Sequence, residues 1–321
     1  MNTTNFPNGF VNGLTIRNSP VTQLYPGNIF WVNGSSVLGG GQKVGGSDGN
    51  AGTYTAPWAT IDYAIGRCLA SRGDILMVMP GHTETVSAAG SIACDVAGVA
   101  IIGLGSGSLR PTISFTTATT AAITVSAANV TIKNVILSAA FADVAEAITL
   151  TASGFTLEDV DVVESGAALN FVDVVDTSAV NNACDDLAIH NLSWVSVDAS
   201  SGTVVDVDAD IDGLTIHDCL VNLAVNGVVS IFAMVAAGKD LTNVDIQRNY
   251  GSRLVTGSAV GFITFADTTT TNTGILKDNS WRSLDTAGEI YTTAGSNITF
   301  MNNKATSAID RSGYLLPVAD S

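Results

Sequence analysis

The sequence predicts an all-β solenoid: a parallel β-helix with a short capping helix and an extended arm at its N-terminal end. Three observations carry that expectation. A short pattern (apolar, any, apolar, any, then a small or amide residue) starts at Val99, Val130, Phe155, Leu187, Leu214, Val244, Gly274 and Ile298, in steps of 24 to 32 residues. A unit this small has no core of its own and gains one only by stacking on its neighbours. Most units carry a second alternating run ahead of the first, at 122–125, 147–150, 171–174, 203–205, 229–231, 262–265 and 289–291. Only 13% of residues are charged, and Thr, Ser and Asn dominate where a helical protein would place Glu and Lys. The repeats lack a 3.6-residue period, which excludes helical arrays.

Taken in order, residues 1–34 read as an extended arm in which Asn, Gly and Pro punctuate short apolar pairs. An arm of this kind cannot bury itself. Phe6, Phe10, Tyr25, Phe30 and Trp31 are therefore the candidate docking residues, expected to pack on the solenoid, a neighbouring subunit or a partner. A glycine-rich connector over 34–52 leads to the cap. There Trp58, Ile61, Ile65, Cys68 and Leu69 recur at helical spacing, with Pro57 ahead and Gly73 behind, so a capping helix is expected near 58–70. Asp74 opens the apolar run 75–79, of strand length, and Pro80-Gly81 closes it. The solenoid proper is expected over 35–304. The stretch 305–321, with Leu315-Leu316-Pro317, breaks the repeat and is a candidate cover for the open end.

Within each unit the alternation sends one side chain inward and the next outward. The Asn or Asp that closes the unit, as at Asn134, Asp159, Asn191 and Asp218, suits a turn residue in the left-handed region.

The bulk numbers narrow the function. Thirteen basic against 29 acidic residues give a net charge of −16, which repels phosphates and argues against nucleic acid or an anionic membrane as partner. Mean hydropathy is +0.34, yet no apolar run approaches the ~18 residues of a membrane helix. The surplus is expected in a long core or a subunit interface. No secretory signal is read at the start of the chain, so synthesis in a cytoplasm is expected. Cys68, Cys94, Cys184 and Cys219 lie far apart without a CxxC pair and read as buried thiols.

Motifs that could carry chemistry are few. Within the acidic run Asp206–Asp212, Asp208, Asp210 and Asp212 before Gly213 match the start of a calcium loop, but Cys219 stands where its closing Glu belongs. The intervening Val207, Ala209 and Ile211 read instead as the inward face of a strand, with the carboxylates in solvent. His190 and His217 hold the same place in successive units and are expected one rung apart, about 4.8 Å, as a surface ladder; His82 is the third histidine. No GxSxG elbow occurs, and Gly103-x-Gly105-x-Gly107 lacks the helix a dinucleotide fingerprint needs.

The order G-S-D-G-N-x-G, P-W-A-T-I-x-x-A-I, R-G-D-I, V-M-P-G-x-x-x-E over residues 46–84 resembles the entry segment of pectate-lyase-like right-handed parallel β-helices. That resemblance implies a right-handed solenoid whose helix caps the N-terminal end and whose Pro-Gly strand is the first rung. The catalytic motifs of polygalacturonase-like members are not reproduced: only Asp185-Asp186 matches, and Gly81-His82-Thr83 departs from G-H-G. Pectate lyases set an arginine beside an acidic calcium cluster, whereas Lys239 and Arg248 are the basic residues between 150 and 250 and neither adjoins the acidic run. A pair of surface carboxylates at glycosidase spacing stays open, but aromatics for a saccharide groove are scarce. The expectation is therefore no enzyme, no catalytic residue, no cofactor and no metal.

Residues 6–165, including the arm N-G-F-V-N-G-L-T-I-R-N-S-P, also resemble β-helix proteins of tailed-phage virions. The resemblance implies a structural virion component: a homotrimeric capsid decoration (cement or knob-like) protein on the capsid surface, with the major capsid protein as partner and a weak carbohydrate contact at most. The alternative it leaves is a tailspike or tail fibre that binds or cleaves a surface polysaccharide.

Overall fold

In the computed structural model the chain is a parallel β-solenoid. The structure describes residues 27–34, 45–224 (except 167, 197 and 199), 230–253, 261–265, 271–282 and 297–306, with the strand pieces 15–16, 19–20 and 314–316. Strands stack into three long parallel sheets, one per face. The first face runs from Ile29–Val32 through Ile75–Val78, Ala100–Gly103, Thr131–Lys133, Thr156–Glu158, Ala188–His190, Thr215–His217, Val244–Gln247 and Thr273–Lys277 to Asn297–Met301. The second begins at Thr83–Val86 and Thr112–Phe115 and ends at Ser280–Arg282 and Asn303–Thr306; the third runs from Ala89–Cys94 to Gly261–Phe265. Each turn of the chain visits the faces in that order, and crossovers between parallel strands take the right-handed course.

The repeat read in the sequence is the register of the first face. Ala100, Thr131, Thr156, Ala188 and Thr215 are successive Cα partners, and the chain of partners continues through Asp245. One residue on, Leu76, Ile101, Ile132, Leu157, Ile189, Ile216, Ile246 and Leu276 form a single inward column, all buried. Each such side chain contributes roughly 1.5–3 kcal/mol by leaving water, in one core shared with the inward residues of the other faces and the neighbouring rungs.

Two columns of left-handed residues bend the chain around the first face. Asn134, Asp159, Asn191, Asp218, Arg248, Asp278 and Asn302 all have φ between 52° and 59° at its exit. At its entry Gly98, Asn129, Gly154, Asp186, Gly213 and Asn243 also have positive φ. In the exit column the N–H of one turn residue bonds the carbonyl just before the turn of the next rung, as from Asp159 to His190 at 3.0 Å and from Asn191 to His217 at 3.0 Å. Asn and Asp tolerate this geometry better than other non-glycine residues.

The cap is shorter than its spacing suggested. The helix covers Ile61–Ile65 only. Thr60 is its N-cap and accepts the Tyr63 N–H. Beyond Ile65 the ladder tightens to i→i−3 bonds, Arg67 to Ala64 and Cys68 to Ile65, because the chain must turn back at once into the strand at Ile75. Trp58 is buried ahead of the helix and bridges Val32 on the edge strand. The buried carboxylate of Asp74 ties these parts together. It accepts the N–H groups of Asn28 and Leu69 and pairs with Arg72 at 2.6 Å.

The last residues of the expected arm lie inside the solenoid: Ile29–Val32 pairs parallel with Ile75–Val78 as the edge strand of the first face. At the other end Tyr314–Leu316 pairs antiparallel with Asn303–Thr306, while the rest of the expected cover is outside the described residues. In the last rungs the second face opens with Asn249, Asn279 and Asn303 where earlier rungs hold Val135, Val160 and Leu192. All three amides are buried. Each Nδ2 donates to a carbonyl of the first face, Ile216, Ile246 and Leu276 respectively.

Candidate functional site

Of the candidate docking residues, Phe30 and Trp31 are described, and both rest on their own chain. The Phe30 ring lies 4.9 Å from that of Trp58, and Trp31 meets Tyr54 edge-on at 5.0 Å. Phe6, Phe10 and Tyr25 are outside the described residues. Where the chain passes into the connector, Gly34 donates its N–H to Nδ1 of the fully buried His82 at 2.8 Å. Nε2 of that ring lies 3.0 Å from Glu84, whose carboxylate also receives the Ile61 N–H at the start of the helix.

His190 and His217 stand on adjacent rungs with ring centroids 5.3 Å apart. Burial, then the neighbouring His217, holds His190 below the usual imidazole range. The acidic run is laid out as its alternation required: Val207, Ala209 and Ile211 are buried and Asp208 is exposed. Its carboxylates bond backbone and side-chain groups of the adjacent rung. Asp210 accepts the Asp240 N–H at 3.0 Å, and Asp212 accepts from the Thr242 hydroxyl and the Asn243 amide at 2.7 and 2.6 Å. Among the described residues no group of three or more His, Cys, Asp or Glu is arranged to hold a metal ion.

The site with the most perturbed chemistry was not singled out by motif. On the outer side of the third face Glu146 and Asp173 are register partners, and so are Asp176 and Asp206. Glu146 accepts the Thr149 hydroxyl at 2.9 Å, and Asp173 accepts the Thr203 N–H at 2.9 Å. Burial raises Asp173 from 3.8 to about 7, with Asp206, Asp176 and Glu146 adding repulsion. Burial and the charges of Glu146, Asp208 and Asp206 raise Asp176 to about 6. Asp206 is pushed up by burial and by Asp208. No cation is among the groups acting on these three. The face thus holds carboxyls able to keep a proton near neutrality, the raw material of acid–base chemistry. The signal was present in the spacing: Glu146 to Asp173, Thr149 to Asp176 and Asp176 to Asp206 are separated by one repeat.

A second polar site lies at the exit turn of the first face, a shallow cavity of about 310 Å³ lined by Arg110, Asn134, Asp159, Asp161, Asn191 and Ser193 among others. Arg110 donates to the carbonyls of Gly107 and Asp159 and pairs with Asp161. Asn191 donates to Asp159. The cluster spans four successive rungs, those of Arg110, Asn134, Asp159 and Asn191.

No known family model matches the chain, and no curated protein matches it. Among solved structures it is similar in shape to one named rhamnogalacturonan lyase, at 12% identity and a TM-score of 0.46, covering 86% of this chain and 87% of that one. It is also similar to the GH136 lacto-N-biosidase from Eubacterium ramulus. The selenomethionine derivative gives 9% identity, a TM-score of 0.30 and coverage of 89% and 68%; the native protein gives 10%, 0.32, 85% and 68%. At such identity the likeness concerns shape and assigns no activity. It does correct one expectation: the molecules sharing this shape are named as enzymes, so the reading of the chain as no enzyme is withdrawn.

Proposed function

We propose that the chain is a virion-surface β-helix, a homotrimeric capsid decoration protein that docks on the major capsid protein through its N-terminal segment. The virion assignment rests on the resemblance of residues 6–165 to tailed-phage β-helices. The structural observation that carries the trimer is a strip on the second face. Val163, Val195, Leu220 and Tyr250 stand on four consecutive rungs and are 41%, 52%, 43% and 39% exposed. Val163 and Val195 form one column, and Leu220 and Tyr250 the column beside it. An apolar strip along the solenoid axis suits side-by-side packing of like chains, whereas the carboxylates of the third face would repel a copy. The edge strand Ile29–Val32 supports docking from one end, since it is the outermost strand of the first face and follows the candidate docking segment in the sequence.

Cryo-electron microscopy of the particle that carries this protein tests the reading. Trimers at three-fold or quasi-three-fold positions of the shell, with the N-terminal segment against capsid protein, are the expected result. Copies confined to the tail vertex overturn it.

The carboxylates Glu146, Asp173, Asp176 and Asp206 favour a second reading, in which the third face binds or cleaves a surface polysaccharide by acid–base chemistry. Host-cell polysaccharide incubated with the protein and with Asp173→Asn tests it. Shortening of the polymer by the parent protein alone supports cleavage, and an unchanged chain length together with no retention of the protein on the immobilised polymer ends this reading.

A further inference from the structure

The carboxylates of the third face sit on three successive strands, Val144–Leu150, Phe171–Thr177 and Thr203–Val207, with Asp208 one residue past the last. Register sets Glu146 beside Asp173 and Asp176 beside Asp206, so each pair of Cα atoms is one inter-strand step apart, about 4.8 Å. Side chains standing on the same side of a sheet at that spacing bring their carboxyl groups within reach of one another. The strands on either side bring no counter-charge. Ala122–Val125 offers Thr124, and Ser230–Val235 contains no ionisable residue. The charges bearing on the file are those of its own members, Glu146, Asp173, Asp176, Asp206 and Asp208.

We infer that this file is a proton-operated brace: the middle rungs are held together more firmly as its carboxyls take up protons and are pushed apart as the file ionises. With a proton on one of two neighbours, the pair carries a single charge and the repulsion between them is removed. With none, two anions face each other in a half-buried setting where water screens them poorly. The brace holds whether or not the same face ever meets a saccharide.

The sign follows from the two ends of the equilibrium. Asp173 and Asp176 bind their protons more tightly folded than unfolded, where the ordinary value is 3.8. The stability they add is complete below that value and is lost as pH rises through about 6 for Asp176 and about 7 for Asp173. His190, held low, works in the opposite direction below 6.5, so a comparison with variants is needed to isolate the file.

The test is the thermal unfolding of the full chain between about pH 8 and about pH 5, for the parent and for Asp173→Asn/Asp176→Asn. An asparagine at 173 keeps an oxygen for the Thr203 N–H. Relative to the double variant, the parent is expected to gain on the order of 5 °C in Tm on acidification. The double variant is expected to melt higher than the parent at the alkaline end. Parallel pH profiles of the two proteins overturn the proposal. So does a calcium chloride addition at the alkaline end that restores the parent, and not the variant, to its acidic Tm; that result makes the file a cation site. If the double variant does not fold, Asp206→Asn carries the same comparison.

Discussion

The buried imidazole of His82 accepts the Gly34 N–H through Nδ1 at 2.8 Å and meets Glu84 through Nε2 at 3.0 Å. An accepting Nδ1 requires the hydrogen on Nε2, so Glu84 is its acceptor. Glu84 in turn receives the Ile61 N–H, and one side chain thereby joins the connector, the first rung and the helix. We predict that His82→Ala costs about 2–4 kcal/mol locally, from a cavity and from donors left without partners. Because solenoid rungs open semi-independently, hydrogen exchange is the measurement. The amides of Gly34 and Ile61 should exchange much faster while that of Ile216, mid-solenoid, stays unchanged. Uniform acceleration along the chain would defeat the claim of a local latch.

Asn279 lies between two other buried asparagines. Its Oδ1 accepts the N–H and Nδ2 of Asn249, and its Nδ2 donates to Ile246 and to Asn303. Asn279→Leu copies the aliphatic residue of earlier rungs but strands the Asn249 N–H and the Ile246 carbonyl. A loss of about 2–4 kcal/mol is expected in the C-terminal rungs. A chemical-denaturation profile that is unchanged for this variant would show that the ladder adds nothing.

Gly251 occupies an inward position of the second face between Phe232 and Trp281. A Cβ there would sit 2.7 Å from the Phe232 ring and 3.0 Å from Trp281. Both rings are fully or nearly fully buried and part of the core. Gly251→Ala is predicted to destabilise by about 1–3 kcal/mol through overpacking. A melting temperature equal to the parent's would mean that the rings move aside freely.

The cysteine thiols are buried and unpaired. Burial, the largest cause in each case, pushes Cys68, Cys94 and Cys219 up to about 12. Thiolate is the reactive form, so the native protein should react very slowly with a disulfide reagent near pH 8, and all four thiols should react on unfolding. Rapid labelling of the native protein would contradict the burial.

Much of the fold was legible because a solenoid writes its register into the sequence. The spacing from Leu214 through Val244 and Gly274 to Ile298 is looser in its letters, yet the strands there pair in the expected line. The second face was not located from the sequence. Its strands are short, and its inward column changes chemistry along the axis, from Leu137 and Val162 through Trp194 to Gly251 and Trp281, so no repeated residue type marks it. The extent of the helix was overread because Cys68 and Leu69 keep the helical spacing while the backbone around Arg67 and Cys68 has already tightened.

The sequence by itself determined the repeat, the inward column of the first face, the turn residues and the alternation that buries Val207, Ala209 and Ile211. These are local properties: side-chain period and turn tolerance are decided within one rung, and the period marks which side chains face inward. Tertiary structure decided which outward residues meet. Glu146, Asp173, Asp176 and Asp206 are ordinary acids along the chain and become a coupled file only when rungs one repeat apart are stacked one strand spacing apart. His82 became a latch in the same way, since its partners come from Gly34 and Ile61, which only folding brings beside it. Burial and charge coupling depend on distances in space, and the sequence records those only through the register of its repeat.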